Sequence, residues 1–132
     1  MIMVDSGIWI DYFNGQKNLE TEYLDEILGI RPIATGDLIM TEVLQGFKAD
    51  KEYDIAKMLL ETLQYYDLLG QSIAIKGAEN YRILRKKGVT VRKTIDTLIA
   101  TFCIENEIPL LFIDKDFLPF VEVLGLKSVL KT

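Results

Sequence analysis

Five acidic residues, Asp5, Glu42, Asp96, Asp114 and Asp116, stand where apolar runs end or where helices open. Asp5 closes Met1-Ile2-Met3-Val4, Asp114 closes Leu110-Leu111-Phe112-Ile113, and Asp96 heads the amphipathic run Ile95 to Glu105. If the first two runs are strands of a parallel sheet, their carboxyl ends share one edge, and acids far apart in sequence meet in one cleft. Carboxylates held within a few ångströms repel one another and take up protons unless a cation offsets them. Oxygen donors of this kind suit Mg2+ or Mn2+, and an ion held there activates water for in-line attack on a phosphodiester. Whether one ion or two bind is not readable from the sequence. Taken singly, the same acids have ordinary uses: strand-end turns for Asp5 and Asp114, a helix cap for Asp96, a solvated face for Glu42, an N-cap for Asp116. Glu42 fits that description least, because Met40, Val43, Leu44 and Phe47 imply a helix packed on more than one side.

The chain lacks histidine altogether, which removes Ser-His-Asp and Cys-His catalysis, histidine-ligated zinc and imidazole-based ribonuclease chemistry. Carboxylates are left as the centre of any reaction. The formal net charge of −5 argues against a protein that coats nucleic acid through its overall field, but not against local contacts to a phosphodiester. The lone Cys103 lies on an apolar stripe and reads as a core thiol. With 132 residues and 49% apolar composition, one domain over 1–132 with an ordinary core is expected. No signal segment opens the chain and no apolar stretch reaches membrane-spanning length, so a soluble, cytoplasmic protein is expected.

Strand-length apolar runs recur at Ile2–Val4, Pro32–Thr35, Tyr66–Leu69, Leu110–Ile113 and Ser128–Leu130. Helical patterns fill the intervals. Ser6 reads as the cap of a helix through Asn14, with Ile8 over Tyr12 and Trp9 over Phe13. Leu19–Leu28 follows, then a helix capped by Asp37 through Phe47, another over Lys51–Gln64, and one over Ser72–Lys87 with Gly88 as its stop. This alternation predicts an α/β domain of three layers, α/β/α, with a mainly parallel sheet of about five strands. Asp11, Asp37, Asp67 and the acids of Leu19–Glu26 read as surface charges.

Arg82, Arg85, Lys86, Lys87, Arg92 and Lys93 form the densest basic stretch and lead directly into Asp96. Arg85–Lys87 are explained by a helix C-terminus alone. Arg92 and Lys93 are less well explained that way and are the candidate phosphate contacts. Tyr65, Tyr66 and Tyr81 read as packed aromatics and not as base readers.

Four segments in register, Val4-Asp5-Ser6-Gly7-Ile8-Trp9-Ile10-Asp11-Tyr12-Phe13, Glu42-Val43-Leu44-Gln45-Gly46, Thr94-Ile95-Asp96-Thr97-Leu98-Ile99-Ala100 and Leu110-Leu111-Phe112-Ile113-Asp114-Lys115-Asp116-Phe117, resemble a PIN domain of the VapC-like toxin type. The resemblance spans essentially the whole chain. It implies a Mg2+- or Mn2+-dependent endoribonuclease that hydrolyses RNA with metal-activated water, is held inactive by a VapB-like antitoxin, and forms a homodimer. It makes Asp5, Glu42, Asp96 and Asp114 the acidic quartet and Asp116 a nearby fifth acid. Asp5 and Asp96 are then the firmest metal ligands, Glu42 positions water or a second ion, and Asp114 or Asp116 acts through water. Ser6 matches a small hydroxyl within the site, whereas Gly7 departs from the family, which more often has a second hydroxyl there. An antitoxin arginine entering the acidic pocket would displace the ion, while a groove near Trp9, Tyr12, Phe13 and Leu38–Phe47 would hold its apolar residues; core packing is the rival use of those side chains. Other readings are a PIN-like nuclease of RNA processing or DNA cleavage, a receiver-like phosphoacceptor module, and a metal-holding binding module without turnover. A receiver would pair two acids after its first strand, where this chain has Asp5-Ser6-Gly7.

Overall fold

Short apolar runs bounded by turn residues pair side by side to form the centre of the computed structural model. It describes residues 1–130, so the expected domain extends slightly past the described residues. The strands are β1 (Ile2–Val4), β2 (Ile33–Gly36), β3 (Gln64–Tyr66) and β4 (Leu110–Leu111), all parallel, in the order β3-β2-β1-β4. On one side of β1, Ile2 lies opposite Ile33 and Met3 opposite Ala34; on the other, Met3 lies opposite Leu110 and Val4 opposite Leu111. Every residue of β1, β2 and β4 is buried. Since successive side chains point to opposite faces, both faces of the sheet are covered, as three layers require.

Seven α-helices surround the sheet among the described residues: α1 (Ser6–Phe13), α2 (Leu19–Ile27), α3 (Asp37–Leu44), α4 (Asp50–Glu61), α5 (Gln71–Lys86), α6 (Thr94–Glu105) and α7 (Leu118–Leu124). None is long and apolar enough to cross a membrane. The expected five strands are four. Ser128–Leu130 contributes only a single parallel bridge, Ser128 to Leu110, because β4 is two residues long and offers no further ladder. The third strand lies earlier than the expected Tyr66–Leu69, since the Leu68 amide is bonded to the Asp37 carboxylate at 2.9 Å.

Several caps also differ from expectation. Asp5 occupies the N-cap of α1 and Ser6 is its first helical residue, which frees the serine hydroxyl for another partner. Gly36 caps α3; Asp37 stands one position inside and accepts from the Leu38 and Leu68 amides at 2.8 and 2.9 Å. Asp37 is therefore a tie between α3 and the chain leaving β3. A Cβ at Gly36 would lie 2.7 Å from the Tyr66 carbonyl oxygen and would overlap Leu68, so this close crossing requires glycine. Gly70, not Ser72, precedes α5, and Asp114 caps the 3-10 turn Lys115–Phe117 by accepting from the Asp116 amide at 2.9 Å.

Trp9, Met3, Ile8, Leu84, Phe117 and Phe120 are fully buried, each contributing roughly 1.5–3 kcal/mol by leaving water. Trp9 stacks on Phe13 with centroids 5.8 Å apart and belongs to the core, not to an open groove. Cys103 is a buried free thiol, and burial pushes its pKa well up. On α6, one face packs against α5, where Asn80 donates to Thr101 at 3.0 Å within the interior.

Candidate active site

The chain leaves β1 for β2 and β3 on one side, then returns across the sheet to β4 on the other. This reversal opens a crevice beyond the carboxyl ends of β1 and β4. Asp5 follows β1 and Asp114 follows β4 closely, and the Asp5 amide donates to the Leu111 carbonyl at 3.0 Å, fixing the two strand ends together. Glu42 comes from α3, which begins directly after β2, and Asp96 from the first turn of α6. Asp5, Ser6, Glu42, Lys93, Asp96 and Asp114 thus line one cleft of about 440 Å³.

Asp116 lies beside this cleft. One carboxylate oxygen from each of Asp96, Asp114 and Asp116 falls within 4.8 Å of the others. Ser6 turns its hydroxyl to Glu42, donating to Oε1 at 2.8 Å. Lys93 donates to Asp114 at 3.2 Å, and Arg92 Nη2 stands 3.4 Å from both oxygens of Asp116. All the residues expected at the site are therefore neighbours in space.

The two deepest acids are the least compensated. Asp5 is 6% exposed and Asp96 5%, and neither Asp5 Oδ1 nor Asp96 Oδ2 has a hydrogen-bond partner within the protein. Burial, then the charges of Asp96 and Glu42, raise the Asp5 carboxyl to about 7, against the pull of the Ser6 and Gly7 amides. Burial likewise raises Asp96 to about 6, with Asp114, Glu42 and Asp116 adding to the rise and Lys93 opposing it. Asp114 moves the other way: the Asp116 amide and the Lys93 ammonium hold it below the usual carboxylate range. A set of oxygen donors with two orphaned buried atoms, whose carboxyls stay raised despite Lys93, suits a hard divalent cation.

Asp11 corrects the expectation of a plain surface charge, for it lines the cleft together with Gly7, Ile10, Gln45 and Ile113. Helical spacing was the available signal: Gly7, Ile10 and Asp11 lie on one face of α1, and Gln45 lies one turn beyond Glu42. A Cβ at Gly7 would sit in ordinary contact with Asp5 Oδ2 at 3.6 Å, so the missing hydroxyl leaves space beside that carboxylate. The basic stretch is divided. Lys93 lines the cleft, whereas Arg82 and Arg85 border a separate groove between α5 and α6, with Arg85 over the Tyr81 ring at 5.6 Å. Tyr66 packs on Phe102, and Tyr65, half exposed, donates to Asp67 at 2.7 Å.

The chain resembles known proteins over nearly its whole length. Ribonuclease VapC11 of Mycobacterium tuberculosis is 26% identical over 131 residues, covering 97% of each chain. Among solved structures, VapBC2 from Rickettsia felis bound to a promoter DNA fragment superposes with a TM-score of 0.75 at 20% identity, over 97% of both chains. A toxin–antitoxin complex from Klebsiella pneumoniae gives 0.72 at 19%, again over 97% of both. These likenesses show a shared fold. The PIN domain family model matches residues 2–120, a span that includes all five acids, and the chain belongs to the PIN domain family.

Proposed function

We propose that this chain is a divalent-metal-dependent endoribonuclease, the cytoplasmic toxin of a VapBC-like pair, a homodimer that its antitoxin holds inactive. The observation that carries the reading is the pair of buried, partnerless oxygens, Asp5 Oδ1 and Asp96 Oδ2, on two residues that line the same acidic cleft. Leaving such atoms unpaired and charged costs free energy that a bound cation would offset. Asp5 and Asp96 would hold Mg2+ or Mn2+, with Glu42 from α3 as a further oxygen donor beside them. When bound, the ion supplies positive charge to the phosphodiester and acidifies a neighbouring water.

The remaining work falls to the protein. Ser6 engages one Glu42 oxygen, which orients the other toward the cleft to accept a proton from the attacking water. Asp114, fixed by the Asp116 amide and Lys93, orders water at the outer side. Arg92, solvent-exposed at the cleft rim, holds an RNA phosphate, and Lys93 adds positive charge just inside the rim. The relatives named as VapC ribonuclease and the VapBC complexes of matching fold support the substrate and the antitoxin partner. An arginine of that partner would neutralise the same carboxylates.

The test is cleavage of a defined RNA set by purified, antitoxin-free protein with Mg2+, with chelator, and with Asp96→Asn. Cleavage is expected only by the wild type with Mg2+. Identical behaviour in all three defeats the reading.

A further inference from the structure

The acids of the cleft divide into two groups with different charge partners. Inside, Asp5 Oδ1 and Asp96 Oδ2 are buried and have no hydrogen-bond partner within the protein, although the Lys93 charge is felt at Asp96. Outside, Asp114 is engaged by the Lys93 ammonium at 3.2 Å and by the Asp116 amide at 2.9 Å, while Asp116 faces Arg92 at 3.4 Å. The outer group nevertheless has the spacing of an ion site, since oxygens of Asp96, Asp114 and Asp116 lie within 4.8 Å of one another. Opposite ligands of an octahedral Mg2+ are about 4.2 Å apart, from metal–oxygen distances of about 2.1 Å.

We infer that the cleft takes a single divalent ion, on the Asp5–Asp96 side, and that the Lys93 ammonium fills the second cationic position beside Asp114. Lys93 suits this by its placement. It is the N-cap residue of α6, its carbonyl accepts from the Thr97 amide at 3.3 Å, and its side chain lines the cleft. The helix start thereby fixes where the stem leaves, three residues before Asp96. A charge there repels a second divalent ion and draws the neighbouring carboxylates without one. Arg92 does not take this role: its side chain is 79% exposed and its contact with Asp116 is long, so it remains free for a phosphate outside the cleft.

This inference rests on the reading of the cleft as a divalent-cation site, but not on RNA as the substrate. Its test is the number of Mn2+ ions bound per chain, from the free-ion electron paramagnetic resonance signal. Wild type, Lys93→Met, Lys93→Gln, Lys93→Arg and Asp5→Asn are compared, with circular dichroism to confirm folding. Wild type and Lys93→Arg are expected to bind one ion, Asp5→Asn to weaken that ion at least about 10-fold, and Lys93→Met and Lys93→Gln to bind two. Two ions of affinity within about 10-fold in the wild type, or a single ion in both neutral variants, would overturn the inference. RNA cleavage in the same samples is read separately: a wild type that binds one ion and cleaves nothing sinks the ribonuclease reading and leaves the ion count standing.

Discussion

Two buried polar side chains of α6, Thr101 and Asp96, are treated in opposite ways. Toward α5, Asn80 donates to Thr101 at 3.0 Å, and these residues, 4% and 0% exposed, close on each other within the protein. On the cleft side, Asp96 is just as buried, yet one of its oxygens has no partner and its carboxyl is raised to about 6. Thr97 Oγ1 on the same helix is also unpaired, but a neutral hydroxyl costs far less to bury than a carboxylate. Trp9 Nε1 and Thr35 Oγ1 in the core are unpaired too, so what sets the cleft side apart is that its unpaired atoms belong to carboxylates.

The contrast breaks most visibly under substitution of the open side. Asp96→Asn is expected to lower RNA cleavage by at least about 100-fold while leaving the metal-free melting temperature unchanged or higher, because it removes a buried, uncompensated charge. Steady-state cleavage and a chelator-treated melt check both halves; a lower melting temperature would mean that Asp96 is a structural acid.

The pH dependence comes next in size. With Asp5 raised from 3.8 to about 7 and Asp96 from 3.8 to about 6, the folded state keeps protons that the unfolded chain has already released. Stability from these groups therefore falls as pH rises from about 4 to about 7, by an amount on the order of a few kcal/mol. Asp114, whose pKa is lowered, opposes this, but its contribution is present above the ordinary carboxylate range and is lost only in more acidic solution. Urea unfolding in chelator at pH 5 and pH 8 is expected to show the lower stability at pH 8.

On the closed side, Asn80→Ala is expected to cost about 1–3 kcal/mol by orphaning the Thr101 hydroxyl, with RNA cleavage changed less than about 2-fold. Urea denaturation and the cleavage assay together sharpen the division. The smallest effect belongs to Arg92→Ala. Its ion pair with Asp116 is exposed, so stability should move by less than about 0.5 kcal/mol, while RNA affinity weakens modestly and its salt dependence becomes shallower by about one phosphate contact. Fluorescence anisotropy at several salt concentrations with the Asp96→Asn background reads that slope.

Much of this arrangement was legible in the sequence because strand ends are marked by where apolar runs stop. Asp5 after Val4 and Asp114 after Ile113 needed only a parallel sheet to become neighbours. Short elements were harder. The helix over Leu118–Leu124 is short and carries Pro119 in its first turn, where proline is suited although it breaks a helix elsewhere. Ser128–Leu130 has strand composition, but pairing depends on a neighbour that β4 is too short to provide. Asp37 illustrates the limit of local reading: its N-terminal position suggested a cap, while its bond to the Leu68 amide, 31 residues away, appears only once α3 and β3 are side by side. Asp11 lies between these cases: helical spacing puts it on the face of Gly7 and Ile10, but only the folded chain shows that this face lines the cleft.

The most direct measurement is the melting temperature of metal-free wild type and Asp5→Asn at pH 8 as Mg2+ is added. The wild type should start lower and rise steadily with Mg2+, and Asp5→Asn should start higher and stay nearly flat. Equal rises in both proteins, or no rise in the wild type, would contradict the assignment of the Asp5 and Asp96 oxygens to a bound cation.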